Sequence, residues 1–214
     1  KQKTDWVQTL FTGYKGSLLE VGAGTGAFAD AMTNKKWKVT ALEPDASSRE
    51  IAFKNYGILL QPISDLDSLI ANTYDVITLW HVLEHVHDLN IYMKTFQKLL
   101  KDNGRLIIAV PNHTSYDAHY YGKFWAAYDV PRHLYHFSPT SMEFLLKSYG
   151  FELVQIKPMW FDSFYVSLLS EKYIKSGLLG VARAIIIGSI SNVLALLSNK
   201  KASSIIYEIR KSKK

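Results

Sequence analysis

Glu20, Gly22, Gly24 and Gly26 stand in the stretch S-L-L-E-V-G-A-G-T-G-A-F, where an apolar run meets a glycine-rich loop. Three glycines between a strand and a helix keep the turn tight and let a ligand approach the backbone closely. The loop fits two templates. Read from Gly22 as G-x-G-x-x-A it suits a dinucleotide; read from Glu20 as E-x-G-x-G-x-G it suits another nucleotide-like cofactor. Glu20 discriminates between them. A pyrophosphate at the N-terminus of the following helix would meet an unscreened carboxylate, and no lysine or arginine lies between Glu20 and Lys35 to favour a phosphate. A ligand bearing an ammonium and a sulfonium gains from that charge instead. The loop therefore argues for S-adenosylmethionine over NAD.

Glu43, in V-T-A-L-E-P-D, ends the next apolar run at about 20 residues after the loop, the offset at which an acidic side chain can hydrogen-bond both ribose hydroxyls. The other use for a carboxylate there is to cap the following helix, a job Asp45 or Ser47 could do as well. Asp65, in P-I-S-D-L-D-S-L, could accept a hydrogen bond from an adenine amino group, with Ser64 and Leu66 alongside. It could equally cap a helix.

Two further polar clusters could act on a substrate. His81, Glu84 and His85 of H-V-L-E-H-V, if helical, share one face at i, i+3 and i+4. Two imidazoles and a carboxylate make a candidate divalent-metal site; polar contacts that pack the segment are the simpler use. The second cluster, Phe124–Ser141, places Trp125, Tyr128, Asp129, Arg132, His133, Tyr135 and His136 in a proline-bearing segment. So many aromatics and histidines in a loop suit a substrate wall better than a core. His133 is the first choice for a general base, since its ordinary pKa lies near neutrality. An Asp129–Arg132 pair and histidines that merely brace the loop are an equal alternative. His113, after V-P-N, is another wall candidate.

These residues need a scaffold of alternating strands and helices. Ser17–Val21, Lys38–Glu43, Ile58–Pro62, Tyr74–Trp80, Arg105–Val110 and Phe151–Lys157 read as strands, short and bounded by Gly, Asn, Asp or Pro. Ala46–Tyr56 and Asp88–Lys101 read as helices, the latter with Leu89, Tyr92, Met93, Phe96, Leu99 and Leu100 on one face. Ser138 caps a helix with Pro139 at its first position, and Gly150 stops it. Such alternation implies a doubly wound, mostly parallel sheet. Leu178–Leu197 is nearly long enough to cross a bilayer, but Arg183, Gly188, two serines and Asn192 interrupt it. A buried or lid helix is the expectation, with a membrane-surface or lipid-facing helix the first alternative and a true span the second. Ser203–Arg210 then alternates as a sheet edge would.

The chain has 214 residues, 48% of them hydrophobic and 21% charged, as expected of an ordinary globular protein. It has no cysteine, which excludes disulfides and thiolate metal sites and points to a reducing cytoplasm. Much of the net charge of +6 lies in Lys200, Lys201, Arg210, Lys211, Lys213 and Lys214, which read as a solvated tail rather than a patch for an anionic partner. The sequence opens at Lys1 rather than Met, so a few upstream residues are expected; no signal-peptide pattern is visible.

Taken in order, E-V-G-A-G-T-G (Glu20–Gly26), L-E-P-D (Leu42–Asp45), Y-D-V-I-T-L-W-H-V-L-E-H-V (Tyr74–Val86) and L-K-D-N-G-R-L-I-I-A-V-P-N (Leu100–Asn112) resemble the class I S-adenosylmethionine-dependent methyltransferases. The resemblance spans roughly residues 15–160. It implies a Rossmann-like α/β fold with a doubly wound, seven-stranded, mostly parallel sheet, its last strand inserted antiparallel. It also implies that Glu20, Gly22, Gly24 and Gly26 hold the methionine and sulfonium part, Glu43 and Pro44 the ribose side, and Asp65 and Leu66 the adenine. Trp80 and His81 would line the methyl-donor pocket. H-V-L-E-H is similar to the E-x-x-E-H segment of ubiquinone-biosynthesis O-methyltransferases and small-RNA 2′-O-methyltransferases, where it holds a divalent ion. Here His81 replaces the first glutamate, and no metal is assigned. The W-x-x-x-D-x-P-R-H-L-x-H-F-S stretch is similar to a broader branch of the same family.

The expectation is thus a single methyltransferase domain over 1–214: a core of about 15–160, an apolar helical insertion of about 161–200 and a last strand of about 203–210. Its cofactor is S-adenosylmethionine and its partner a small-molecule acceptor, methylated on oxygen in preference to nitrogen or carbon. Trp160, Phe161, Phe164 and Tyr165 suggest a greasy entrance for a lipid-like or aromatic acceptor. A nucleic-acid partner is not favoured, although RNA modification and cofactor binding without turnover stay open. The expected location is cytoplasmic, with lipid contact through 178–197 open; the oligomeric state is not readable.

Overall fold

Burial on both faces makes Leu18, Leu19, Glu20 and Val21 a central strand, flanked on each side by another apolar run. The computed structural model describes residues 2–11 and 15–212; Lys213 and Lys214 of the basic tail lie outside these. Contacts divide the chain into two units, the first holding residues 1–80, 90–107 and 210–214 and the second 81–89 and 108–209.

In the first unit, β1 (Ser17–Val21) pairs in parallel with β2 (Lys38–Leu42) and with β3 (Tyr74–Trp80), Ser17 facing Lys38 and Leu18 facing Val76. Helix α1 (Gln2–Thr9) precedes them, and α2 (Ala27–Asn34) and α3 (Ala46–Tyr56) are the crossovers around β2. Asp45 caps α3 by accepting the Ser48 N–H at 2.8 Å, and Gly57 ends that helix in the left-handed region. Ala23, Ala29, Ala41, Ala52 and Leu60 form a small-residue cluster that lets the glycine loop and α3 approach closely. Helix α4 (Leu89–Leu99) buries Met93, Phe96 and Leu99, the face its apolar spacing predicts, and β4 (Leu100–Pro111) follows without a loop.

The sheet has six strands in the order β2–β1–β3–β4–β6–β5, with β5 (Phe151–Pro158) and β6 (Ser204–Lys211) the last two in sequence. The expected count of seven is corrected at Ile58–Pro62. Gln61 alone bridges to Leu42, its N–H donating to Ala41 O at 2.9 Å while its carbonyl accepts from Glu43. Pro62 has no N–H to extend that ladder, and Leu59 is 80% exposed, so no strand propagates.

The second unit carries α5 (Tyr116–Tyr121), α6 (Pro139–Ser148), α7 (Asp162–Ile174) and α8 (Gly177–Leu197). Ser138 and Ser141 make a reciprocal capping box at α6, with Pro139 in its first turn. Two buried carboxylates tie the helices together. Asp117 accepts from Trp125 Nε1 at 2.8 Å, Ser191 Oγ at 2.8 Å and Ser203 Oγ at 2.7 Å. Glu171 accepts from Tyr121, Ser176 and Arg183, and the guanidinium holds its carboxyl down to about 2. Gly188 lets α8 close on α7: a Cβ there would stand 2.7 Å from the Phe164 ring.

Candidate active site

The glycine loop is held by its neighbours in the first unit. The Gly22 and Ala23 N–H groups both donate to Leu42 O, at 2.8 and 2.9 Å. Gly24 N–H donates to Glu43 Oε2 at 2.7 Å, and Asp45 N–H donates to Glu43 Oε1 at 3.0 Å. Capping of α3 therefore falls to Asp45, and Glu43 braces the loop. Gly24 and Gly26 both take positive φ, +53° and +82°, and they differ in what surrounds them. A Cβ at Gly26 would stand 2.9 Å from Ala52 Cβ; one at Gly24 would meet nothing within 4 Å. Space over Gly24 is open.

Glu20, at the end of β1, is 2% exposed, and its Oε2 has no hydrogen-bond partner among the described residues. Burial pushes its pKa up to about 8, against the positive charge of Lys3 and the Ala29 amide. Trp80 Nε1 is buried without a partner as well; its ring meets Phe28 edge-on at 5.3 Å and carries Lys3 Nζ 4.5 Å from its centroid. Asp65 and Leu66 lie in the short 3-10 helix Ile63–Ser68, whose cap position is Pro62, so Asp65 is not a helix cap. Pro44 turns its carbonyl to Arg49 Nη1, as Glu43 does. A buried carboxylate with one oxygen unpartnered among the described residues, an open glycine loop and an aromatic face that already hosts a cation fit a positively charged, nucleoside-like ligand.

The second unit holds a cavity of about 320 Å³. His81, Glu84, Asp129, Arg132, His133 and Asp162 supply its charged and titratable lining, and Tyr165, Val166, Leu169 and Tyr173 of α7 its apolar side. The residues expected on the donor side, Glu20 to Trp80, thus belong to one unit, whereas His81 and His133 belong to the other. The segment after β3 is not the expected α-helical face. His81 takes a positive φ of 58°, and only Leu83–His85 turns, as 3-10. His81 is not among the clustered ligand atoms of Glu84, His85 and His133. Its Nδ1 stands 3.3 Å from Glu84 Oε1 and its Nε2 3.0 Å from Asp162 Oδ2. Burial disfavours the charged ring, but Asp162 and Glu84 outweigh it and raise its pKa to about 9.

His85 and His133 share one arrangement. His85 Nδ1 meets Arg132 O at 3.1 Å and His133 Nδ1 meets Ala127 O at 2.8 Å. A carbonyl only accepts, so each Nδ1 carries a proton, and it is the Nε2 of the neutral ring that has a lone pair to offer. Burial holds the His133 pKa below the ordinary histidine value. The rings meet edge-on at 4.6 Å, and the ligand atoms of Glu84, His85 and His133 all lie within 4.8 Å of one another. Glu84 is 1% exposed and its Oε2 lacks a partner among the described residues.

The expected wall divides between that cavity and the protein's own packing. Trp125 is 1% exposed, packed with Ala118, Tyr121 and Ile187 and bonded to Asp117, so it belongs to the core and not to a substrate wall. Asp129 does pair with Arg132, at 2.8 Å, and His136 braces Tyr128 O. Nothing local in the sequence marks Asp162, whose carboxylate meets a histidine 81 positions earlier.

Residues 1–156 match the family model described as a methyltransferase domain, and the chain belongs to that family. It is 27% identical over 121 residues to the ubiquinone biosynthesis O-methyltransferase of Erwinia tasmaniensis, covering 53% of this chain and 50% of that one. To the enzyme of the same name from Rickettsia conorii it is 29% identical over 159 residues, covering 68% and 54%. The chain thus spans about half the length of these relatives. Among solved structures, it is similar in fold to a SAM-dependent methyltransferase from Thermotoga maritima, with TM-score 0.66, 20% identity, and 98% and 88% of the two chains covered. A further fold likeness, to a protein from Galdieria sulphuraria described as a sarcosine dimethylglycine methyltransferase, has TM-score 0.67 and 16% identity over 99% and 86% of the two chains.

Proposed function

We propose that the protein transfers the methyl group of S-adenosylmethionine to an oxygen of a small, aromatic or lipid-like acceptor. The observation that carries the reading is Glu20: a buried carboxylate with an unpartnered oxygen, beside an open glycine loop, in a chain of the methyltransferase-domain family. When bound, the cofactor supplies a methyl group on a cationic sulfur, activated for in-line displacement by a nucleophile. Glu20 offers its cationic part a counter-charge. Glu43 holds the Gly24 amide and keeps lone pairs for ribose hydroxyls, with Pro44 beside it; Asp65 and Leu66 serve the adenine.

The acceptor is assigned to the cavity of the second unit, whose α7 side is aromatic and aliphatic. His133 is neutral near pH 7 and takes the acceptor hydroxyl proton at Nε2. The names of the relatives, which place them in ubiquinone biosynthesis, support an oxygen acceptor of this class. The test is incubation with methyl-deuterated S-adenosylmethionine and a panel of simple phenols, read by mass spectrometry alongside cofactor calorimetry. His133→Ala is expected to lower turnover by about 100-fold or more while leaving cofactor affinity unchanged. An unchanged rate would demote His133 to a loop brace. Tight cofactor binding without product on any hydroxyl acceptor would favour a binding protein, and salt-sensitive RNA binding with RNA methylation would favour RNA modification.

A second reading rests on Glu84, His85 and His133, which present an unpartnered carboxylate oxygen and two ring nitrogens within 4.8 Å. Both rings are oriented by backbone carbonyls, the support that metal-bound histidines commonly have. In this reading the three side chains hold a divalent cation, which would polarise the acceptor hydroxyl, and His133 is a ligand rather than a base. His81 is outside the set: its ring nitrogens face Glu84 and Asp162 instead. Loss of turnover on chelation, restored by a divalent ion, selects this reading; chelator-insensitive turnover removes it.

A further inference from the structure

Helix α8 is inside out. Its inward face carries Gly180, Ala184, Ile187, Gly188, Ser191 and Ala195, mostly small residues that seat it on α7 and α5. Its outward face is apolar: Leu179 is 83% exposed, Ile186 57%, Val193 56% and Leu196 71%. The helix is long and apolar enough to cross a membrane by length and composition, with 33% of its most apolar window buried. A spanning orientation is disfavoured by what the inward face does. Arg183 is bound to Glu171, and Ser191 donates to Asp117, so that face is committed to protein.

We propose that α8 lies flat on an anionic lipid surface, its outward side chains among the acyl chains and the lysines at its two ends on the headgroups. Charge complementarity selects this occupant. Between residues 160 and 201 the acidic residues are Asp162 and Glu171, and both are engaged, by His81 and by Arg183. Lys172 and Lys175 precede the helix, and Lys200 and Lys201 follow it, all exposed. Lys200, although within 3.2 Å of Glu143, stays 60% exposed. Basic residues flanking an apolar helical face are the composition that binds anionic bilayers in the interfacial plane. The same charges oppose pairing with a second copy: a two-fold contact through α8 brings lysines of one protomer against lysines of the other, whether the helices run parallel or antiparallel.

The test is co-sedimentation of the whole protein with phosphatidylcholine vesicles and with vesicles of phosphatidylcholine and phosphatidylglycerol in equal parts. Binding is expected to the anionic vesicles, weakened by salt, and weak or absent for the neutral ones. Ile186→Glu, on a side chain already half in solvent, is expected to keep the thermal midpoint and abolish sedimentation. Lys172→Glu with Lys201→Glu is expected to lower partitioning by about tenfold or more while leaving the fold intact. Absence of binding to anionic vesicles would overturn the proposal, as would binding that Ile186→Glu leaves unchanged. So would a concentration-dependent dimer that Ile186→Glu dissolves in a protein that ignores vesicles. None of these readouts depends on methyl transfer.

Discussion

His81 and Asp162 meet at 3.0 Å, Nε2 to Oδ2, although 81 positions separate them in the chain. His81 does so from a left-handed backbone conformation, φ 58°, that costs a non-glycine residue on the order of 1 kcal/mol. Glu84 takes the other ring nitrogen, and the imidazole is held protonated up to about 9.

The sign of the resulting pH dependence follows from that raised value. A group with an ordinary pKa of 6.5 and a folded value of about 9 contributes stability fully below 6.5 and loses it as the pH rises through about 9. His81→Gln should therefore lower the thermal midpoint most at acidic to neutral pH, and the difference from wild type should shrink toward alkaline pH. Midpoints measured by circular dichroism across that range check this, and a pH-independent difference would show that the ring acts through packing alone.

Glu20 gives a different pH signature. Its carboxyl is pushed up to about 8 by burial, so the ligand-free site is largely protonated at neutrality. A cationic ligand favours the ionised form, so binding releases a proton. Affinity should rise with pH up to about 8, by at most about tenfold per pH unit, and then level off. Calorimetry with S-adenosylmethionine in buffers of different ionisation enthalpy would detect the proton, and Glu20→Gln should remove the slope. In the ligand-free protein the same carboxyl makes stability fall as pH rises from 4.5 toward 8, because the folded state holds the extra proton.

Gly24 and Gly26 separate ligand space from packing space. Alanine at Gly26 meets Ala52 at 2.9 Å in a conformation it dislikes, so Gly26→Ala should cost about 2–4 kcal/mol of stability. Gly24→Ala carries only the conformational penalty, about 1–2 kcal/mol, because the space beyond is open. If S-adenosylmethionine fills that space, Gly24→Ala should weaken its binding about tenfold or more in a protein that still folds. Unchanged affinity would place the ligand elsewhere.

Glu43→Ala removes the acceptor of the Gly24 and Asp45 amides together with the proposed ribose contacts. Cofactor affinity should fall by about 1–3 kcal/mol. Comparison with S-adenosylhomocysteine separates the roles: Glu43→Ala should weaken both cofactors alike, whereas Glu20→Gln should penalise the cationic one more. Equal affinity of wild type and Glu43→Ala would take Glu43 out of the site.

Much of this protein is written locally. Helix α3 occupies the residues its pattern predicts because Asp45 and Gly57 close its ends, and the helix after Ser138 starts where a serine cap meets a proline. Motif order carries the family for a similar reason: strand, glycine loop and acidic residue are fixed by short-range geometry. Ile58–Pro62 shows the limit, since its apolar pattern is strand-like and whether a ladder forms depends on the neighbours its backbone finds.

What tertiary structure decided is which distant side chains share a charge or a proton. Trp125 has the look of a wall residue in sequence, yet Asp117, Ser191 and Ser203 assemble a polar anchor around its ring nitrogen and make it core. The Glu84–His85–His133 cluster and the His81–Asp162 pair likewise join segments tens of residues apart. Sequence periodicity reports which face of an element is apolar. It does not report which buried polar groups will satisfy one another, because that depends on long-range packing that no local pattern encodes.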